Sequence, residues 1–131
     1  MGMLDVMTAR KDEASRDDPT TVVAERLASA LERIANARRA LLQDIATRNG
    51  LSPLQVEILR HVHASGPTSG SVLSREFGVT TPTVSDAVAA LRDKGYVEQR
   101  PGVAVRTRAV HPTDLGLRLV ERIEADLAPF R

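Results

Sequence analysis

The residues best suited to chemistry fall in two blocks. Thr81, Thr83 and Ser85 place three short hydroxyls within five residues, interleaved with Pro82 and followed by Asp86 and, two turns later, Arg92. Hydroxyls and a carboxylate at this density approach a surface closely and exchange hydrogen bonds, which suits contact with base edges or phosphates better than bond-making. The second block, Tyr96 to His111, sets Arg100, Arg106 and Arg108 against a single acid, Glu98, a local net charge of +2. Guanidinium groups gathered in this way neutralise phosphates. Arg75, upstream of both blocks, can hold phosphate or pair with a neighbouring acid.

Other chemistries lack their residues. The chain has no cysteine, which removes thiolate nucleophiles, thiol sensing, disulfides and cysteine-ligated zinc. His61 and His63 lie two residues apart, so a helix does not place both imidazoles on one face, and Glu57 with His61 is only a two-ligand start. Their expected role is packing or surface. Gly66-Pro67-Thr68-Ser69-Gly70-Ser71 resembles a phosphate loop but lacks its lysine and its preceding strand, and reads as a turn and cap. No nucleophile, base and orienting group recur at a working spacing, so the expectation is a protein that is not an enzyme and needs neither metal nor cofactor. With only Phe77, Tyr96 and Phe130 aromatic, stacking on single-stranded bases is nearly excluded as well.

The elements that position the two blocks follow from periodicity. At 131 residues, 42% apolar and 27% charged, the chain is sized for one domain with an aliphatic core. Its longest apolar run, Ala87 to Leu91, is far too short to span a membrane, and a cytoplasmic location is expected. The total charge of +1 carries no information about partners, so charge must act locally. Residues 1–19 are charged and aperiodic and read as a mobile tail. From Thr20 to Arg48, Val23, Leu27, Leu31, Ile34, Leu41 and Ile45 recur at helical spacing, with Thr20 or Thr21 as N-cap and Asn49-Gly50 as the stop. A helix of that length in so small a chain cannot bury its whole stripe alone, so it invites a second copy.

Shorter elements follow. Ser52-Pro53 starts a second helix that ends at Gly66-Pro67, and a third runs from near Ser69 to Gly78. A fourth starts with Thr81 as N-cap and Pro82 at its first position, buries Val84, Val88 and Leu91, and stops at Gly95. The solvent face of that helix then offers Thr81, Thr83, Ser85, Asp86 and Arg92. After Gly95 the period becomes two, giving a hairpin over Tyr96 to His111 that turns at Pro101-Gly102. A last helix over about 112–128 carries Leu115, Leu119 or Val120, Ile123 and Leu127, and closes at Pro129. The fold class is mainly α with a small β-hairpin: a helix, a tight turn, a second helix and a basic hairpin, the order of a winged helix-turn-helix over 51–111.

The stretch Leu51 to Gly116 resembles the MarR family of bacterial transcription factors. The matching segments are LSPLQVEILRHV, GPTSGSVLSREFGV, TPTVSDAVAALRDKGYVEQRP and the T-D-L-G that opens the last helix. The resemblance implies a homodimer joined by its first and last helices, and a regulator, in most cases a repressor, of double-stranded DNA carrying a pseudo-palindromic operator. It also implies a small-molecule effector, although no residue here identifies one. On this resemblance the DNA-binding set is Thr81, Pro82, Thr83, Ser85, Asp86, Arg92, Arg100, Arg106, Arg108 and Arg75. Three features differ from the family pattern. Asp86 stands where a basic residue is usual, and can accept from a cytosine amino group or pair with Arg92 or Lys94. The wing is about one residue shorter and lacks the Asp-Arg pair, with Arg106 near the arginine position. The last helix is short, which leaves more of the dimer contact to residues 20–48. The competing reading is a winged-helix protein-interaction module without base readout, supported by Asp86 and the near-neutral charge.

Overall fold

The computed structural model describes residues 18–101 and 108–130, so nearly all of the 1–19 tail lies outside the described residues. The chain separates into two compact units, residues 1–39 and 40–131, and helix α1 (Pro19–Arg48) contributes a stretch to each. In the first unit α1 starts two or three residues earlier than a cap at Thr20 or Thr21 suggests. The Thr20 amide donates to Asp18 Oδ1 at 3.0 Å and the Val22 amide to the Asp18 carbonyl, so Asp18 is the N-cap and Pro19 opens the helix. Aspartate followed by proline suits this start better than either threonine, because proline has no amide to leave unpaired. Within this stretch Val23, Leu27, Leu31 and Ile34 are each more than half exposed.

The second unit holds the core. The remaining part of α1 buries Leu42, Ile45 and Ala46 and ends where expected, with the Leu51 amide bonded to the Ala46 carbonyl at 2.8 Å and the Gly50 amide to Thr47 at 3.1 Å. That pair of bonds satisfies carbonyls the helix would otherwise leave open. Helix α2 (Pro53–Ser65) follows, then β1 (Thr68–Ser69), α3 (Gly70–Phe77), α4 (Thr81–Asp93), β2 (Val97–Pro101), β3 (Arg108–Pro112), α5 (Asp114–Leu127) and a 3₁₀ turn (Ala128–Phe130). Helix α2 is central and packs on α4, β3 and α5 through Val56, Ile58, Leu59 and Val62. Leu73, Val84, Val88, Leu91, Val97, Val110, Leu119 and Ile123 complete one aliphatic core.

The sheet is antiparallel in the order β1-β3-β2. The hairpin expected from sequence is β2 with β3, and β1 is an addition, since Thr68 and Ser69 are too few to show a period. Thr68 pairs with Val110, is buried, and its hydroxyl donates to the Gly66 carbonyl at 2.7 Å. Tyr96 precedes the strand rather than starting it, because its amide is held by the Leu91 carbonyl at the end of α4. The expected strand residues 103–107 and the turn residue Gly102 lie outside the described residues. Helix α5 is capped by Thr113, whose amide donates to the Tyr96 carbonyl and whose hydroxyl donates to the Gly95 carbonyl. The last-helix glycine has a packing reason: a Cβ on Gly116 would stand 2.1 Å from the Tyr96 carbonyl oxygen. Leu115, expected in the core, is instead exposed.

Candidate nucleic-acid interface

Helices α3 and α4 are joined by Gly78-Val79-Thr80. Gly78 takes the left-handed conformation that ends α3 (φ 62°, ψ 36°), which a residue with a Cβ adopts only at a cost. The Val79 amide donates back to the Ser74 carbonyl and the Ser74 hydroxyl donates to the Val79 carbonyl, so the turn is locked from both sides. The chain therefore reaches extended geometry at Thr80, not Thr81. Thr80 Oγ1 accepts from the Thr83 amide at 3.3 Å, making Thr80 the N-cap and placing Pro82 second in α4. The expected cap, Thr81, is displaced by one residue to Thr80.

The consequence falls on the hydroxyls. Thr83 Oγ1 shares a 2.7 Å hydrogen bond with Thr80 Oγ1, so it belongs to the cap while remaining exposed. Among the described residues the side chains of Thr81 and Ser85 have no hydrogen-bond partner, and both are exposed. Val84, Ala87, Val88 and Leu91 form the buried stripe. At about 100° per residue, Pro82, Asp86 and Asp93 stand opposite that stripe, with Thr81, Ser85 and Arg92 on one flank and Thr83 on the other. The N-terminal half of α4 thus presents hydroxyls and one carboxylate and no cation.

Positive charge comes from other positions. Arg75 in the last turn of α3 and Arg108 at the start of β3 are exposed and unpaired among the described residues. Arg92 donates to Gln99 Oε1 at 2.8 Å, which ties α4 to β2 while leaving its charge uncompensated. Arg100 forms an ion pair with Glu98, so it contributes less free charge than counting arginines suggests. Arg106 lies outside the described residues. Gln99 was not read from the sequence as a site residue, and only the strand alternation could have placed it beside Arg92.

The remaining polar groups are occupied in packing. Arg60 on α2 bonds Glu124 Oε1 at 2.6 Å and Glu57 Oε1 at 2.8 Å. Burial works against its charge, but these two hydrogen bonds and the two carboxylates outweigh it and hold the guanidinium above its ordinary pKa. The cluster borders an open depression of about 470 Å³ that also touches His61, His63 and Phe77. His61 meets the Phe77 ring edge-on, with centroids 5.7 Å apart, and His63 is exposed. Among the described residues no group of three or more histidines and carboxylates is arranged to hold a metal ion, and no helix is long and apolar enough to cross a membrane.

Comparison with known proteins agrees with this geometry. The model of the MarR family matches residues 49–106, the span from the end of α1 into the wing. A MarR family protein from Bacillus stearothermophilus superposes with a TM-score of 0.71 at 23% identity, over 86% of this chain and 79% of that one. A transcriptional regulator from Thermotoga maritima gives 0.69 at 24% identity, covering 81% and 75% of the two chains. The wild-type MarR of E. coli in its apo form gives 0.68 at 17% identity, covering 78% and 76%. Comparison of the sequence with curated proteins finds no match.

Proposed function

We propose that this chain is a MarR-family winged-helix protein, a homodimeric, sequence-specific regulator of transcription from double-stranded DNA, and that it acts as a cytoplasmic repressor. The observation that carries this reading is the solvent face of α4, where, among the described residues, Thr81, Ser85 and Asp86 have no partner and Arg75 and Arg108 are left free to take phosphates. In this reading α4 enters the major groove, with Thr81, Pro82, Thr83, Ser85 and Asp86 toward base edges. Arg75, Arg92, Arg100, Arg106 and Arg108 set register on the backbone. The activity is binding rather than catalysis. Two α4 helices would meet grooves about 34 Å apart, which calls for an inverted repeat. The seam of the dimer is the stripe Val23, Leu27, Leu31 and Ile34, joined by the last helix. Control by a small-molecule effector is part of the proposal through family resemblance alone.

The test is selection from a random duplex pool, followed by anisotropy titrations of the winning sequence at several salt concentrations. An inverted repeat bound with a steeply negative salt slope is expected. Replacing Arg106 and Arg108 together by Ala should reduce the magnitude of that slope by about two for each protomer, about four for the dimer, while keeping the preferred sequence. A monomer that enriches no motif and binds duplex no better than heparin would point instead to a winged-helix module that docks a protein.

A further inference from the structure

We infer that Asp86 is a specificity-determining residue that selects cytosine, its carboxylate accepting a hydrogen bond from the cytosine N4 amino group at one position in each half-site. The inference rests on the DNA-binding reading above and adds the base that one side chain reads.

An exposed carboxylate on a surface meant for DNA is usually neutralised within the protein, and here it is not. Of the two cations close enough in sequence to do so, Arg92 is turned to Gln99. Lys94 lies across the loop after α1, its Nζ 3.1 Å from where a Cβ on Gly50 would be. One turn either side of Asp86 stand Pro82, Thr83, Ala89 and Ala90, none of them cationic, and the Thr83 hydroxyl is already bonded to Thr80. Asp86 has no hydrogen-bond or ion-pair partner among the described residues. It stands opposite the buried stripe of α4, in the N-terminal half, where a docked helix-turn-helix reaches base edges. Asp93 shares the face opposite that stripe but is the last residue of the helix.

What an ionised carboxylate can do there is restricted. It only accepts hydrogen bonds, and the major groove offers donors at cytosine N4 and adenine N6. Adenine sets its N7 acceptor beside that donor, and guanine and thymine present acceptors, so each of these opposes a second acceptor. Cytosine alone offers the amino group without a neighbouring acceptor on the same base. Phosphates repel Asp86 on every sequence alike. The residue therefore weakens binding to all duplexes and recovers the loss only where cytosine is present, so discrimination arises from a repulsive element together with an attractive one.

Duplex selection with the wild type, Asp86→Asn, Asp86→Ala and Asp93→Ala, each checked for an unchanged melting curve, tests this. The wild type should enrich cytosine at one symmetric position of each half-site. Asp86→Asn should move that position to adenine, whose N6 and N7 an amide satisfies together, with the other positions kept. Asp86→Ala should lower the cytosine preference there about tenfold and bind unrelated duplex more tightly, whereas Asp93→Ala should retain the wild-type motif. A wild-type motif that survives unchanged at every position in Asp86→Ala overturns the inference and leaves the regulator reading standing. Failure of the wild type to enrich any motif overturns both.

Discussion

The two stretches of α1 carry apolar residues at the same helical spacing and meet opposite fates. Leu42, Ile45 and Ala46 are 7%, 1% and 0% exposed, whereas Val23, Leu27, Leu31 and Ile34 are 54–65% exposed. Propensity does not separate the stretches, since leucine, isoleucine and alanine serve in both. What differs is supply: the first unit has no second element to cover its stripe among the described residues, while in the second Leu42, Ile45 and Ala46 join one core cluster with residues of α2 and α5. A repeated apolar stripe thus announces a partner surface without saying in which chain that surface lies.

The largest effect is expected where that difference is attacked directly. Replacing Leu27 and Leu31 together by Glu puts four carboxylates into the proposed seam, where each leucine would otherwise contribute about 1.5–3 kcal/mol of burial. The dimer dissociation constant should rise at least about a thousandfold, read by sedimentation equilibrium, with the far-UV spectrum of the chain retained. A variant that still sediments as a dimer would place the seam elsewhere and erase the contrast between the stretches.

Ile45→Ala attacks the other end. It removes a fully buried side chain from the core and should cost about 2–5 kcal/mol, seen as a lower denaturant midpoint at unchanged slope. The expected signatures are reciprocal: Leu27 and Leu31 govern assembly, and Ile45 governs the stability of the second unit. If Ile45→Ala abolished assembly at concentrations where the unit stays folded, the two stretches would not be separable.

The same contrast explains what the sequence made legible. Helix starts and stops are local, so Ser52, Gly78 and Asn49-Gly50 were readable to the residue, and the helix capped by Ser69 was readable as starting near it. Where neighbouring residues can each cap, as at Thr80 and Thr81 or at Asp18 and Thr20, the choice depends on the backbone arriving from the preceding turn, and periodicity is one to three residues off. Strand β1 was hidden because its two residues are defined by their pairing with Val110 and Ala109, far along the chain. Partners of side chains were hidden for the same reason. Arg92 finds Gln99, and Arg60 finds Glu124, sixty-four residues away. The face of α4 was legible because it is the complement of a buried stripe, but which of its hydroxyls and charges are free was not.

The smallest effect separates a cap that only holds a helix from one that also shapes the proposed reading face. Ser52 makes a reciprocal box with Gln55, its hydroxyl accepting from the Gln55 amide at 3.1 Å while Gln55 Oε1 accepts from the Ser52 amide at 3.0 Å. Thr80 caps α4 in the same manner but also fixes the Thr83 hydroxyl. Ser52→Ala and Thr80→Ala should each cost about 1 kcal/mol of stability by thermal or denaturant melting. Only Thr80→Ala should also change DNA affinity, because it frees Thr83 Oγ1 and loosens the first turn that carries Thr81 and Pro82. Equal DNA affinity of the two variants at matched folded fraction would mean that the cap of α4 serves stability alone, and that the reading face begins at Ser85 and Asp86.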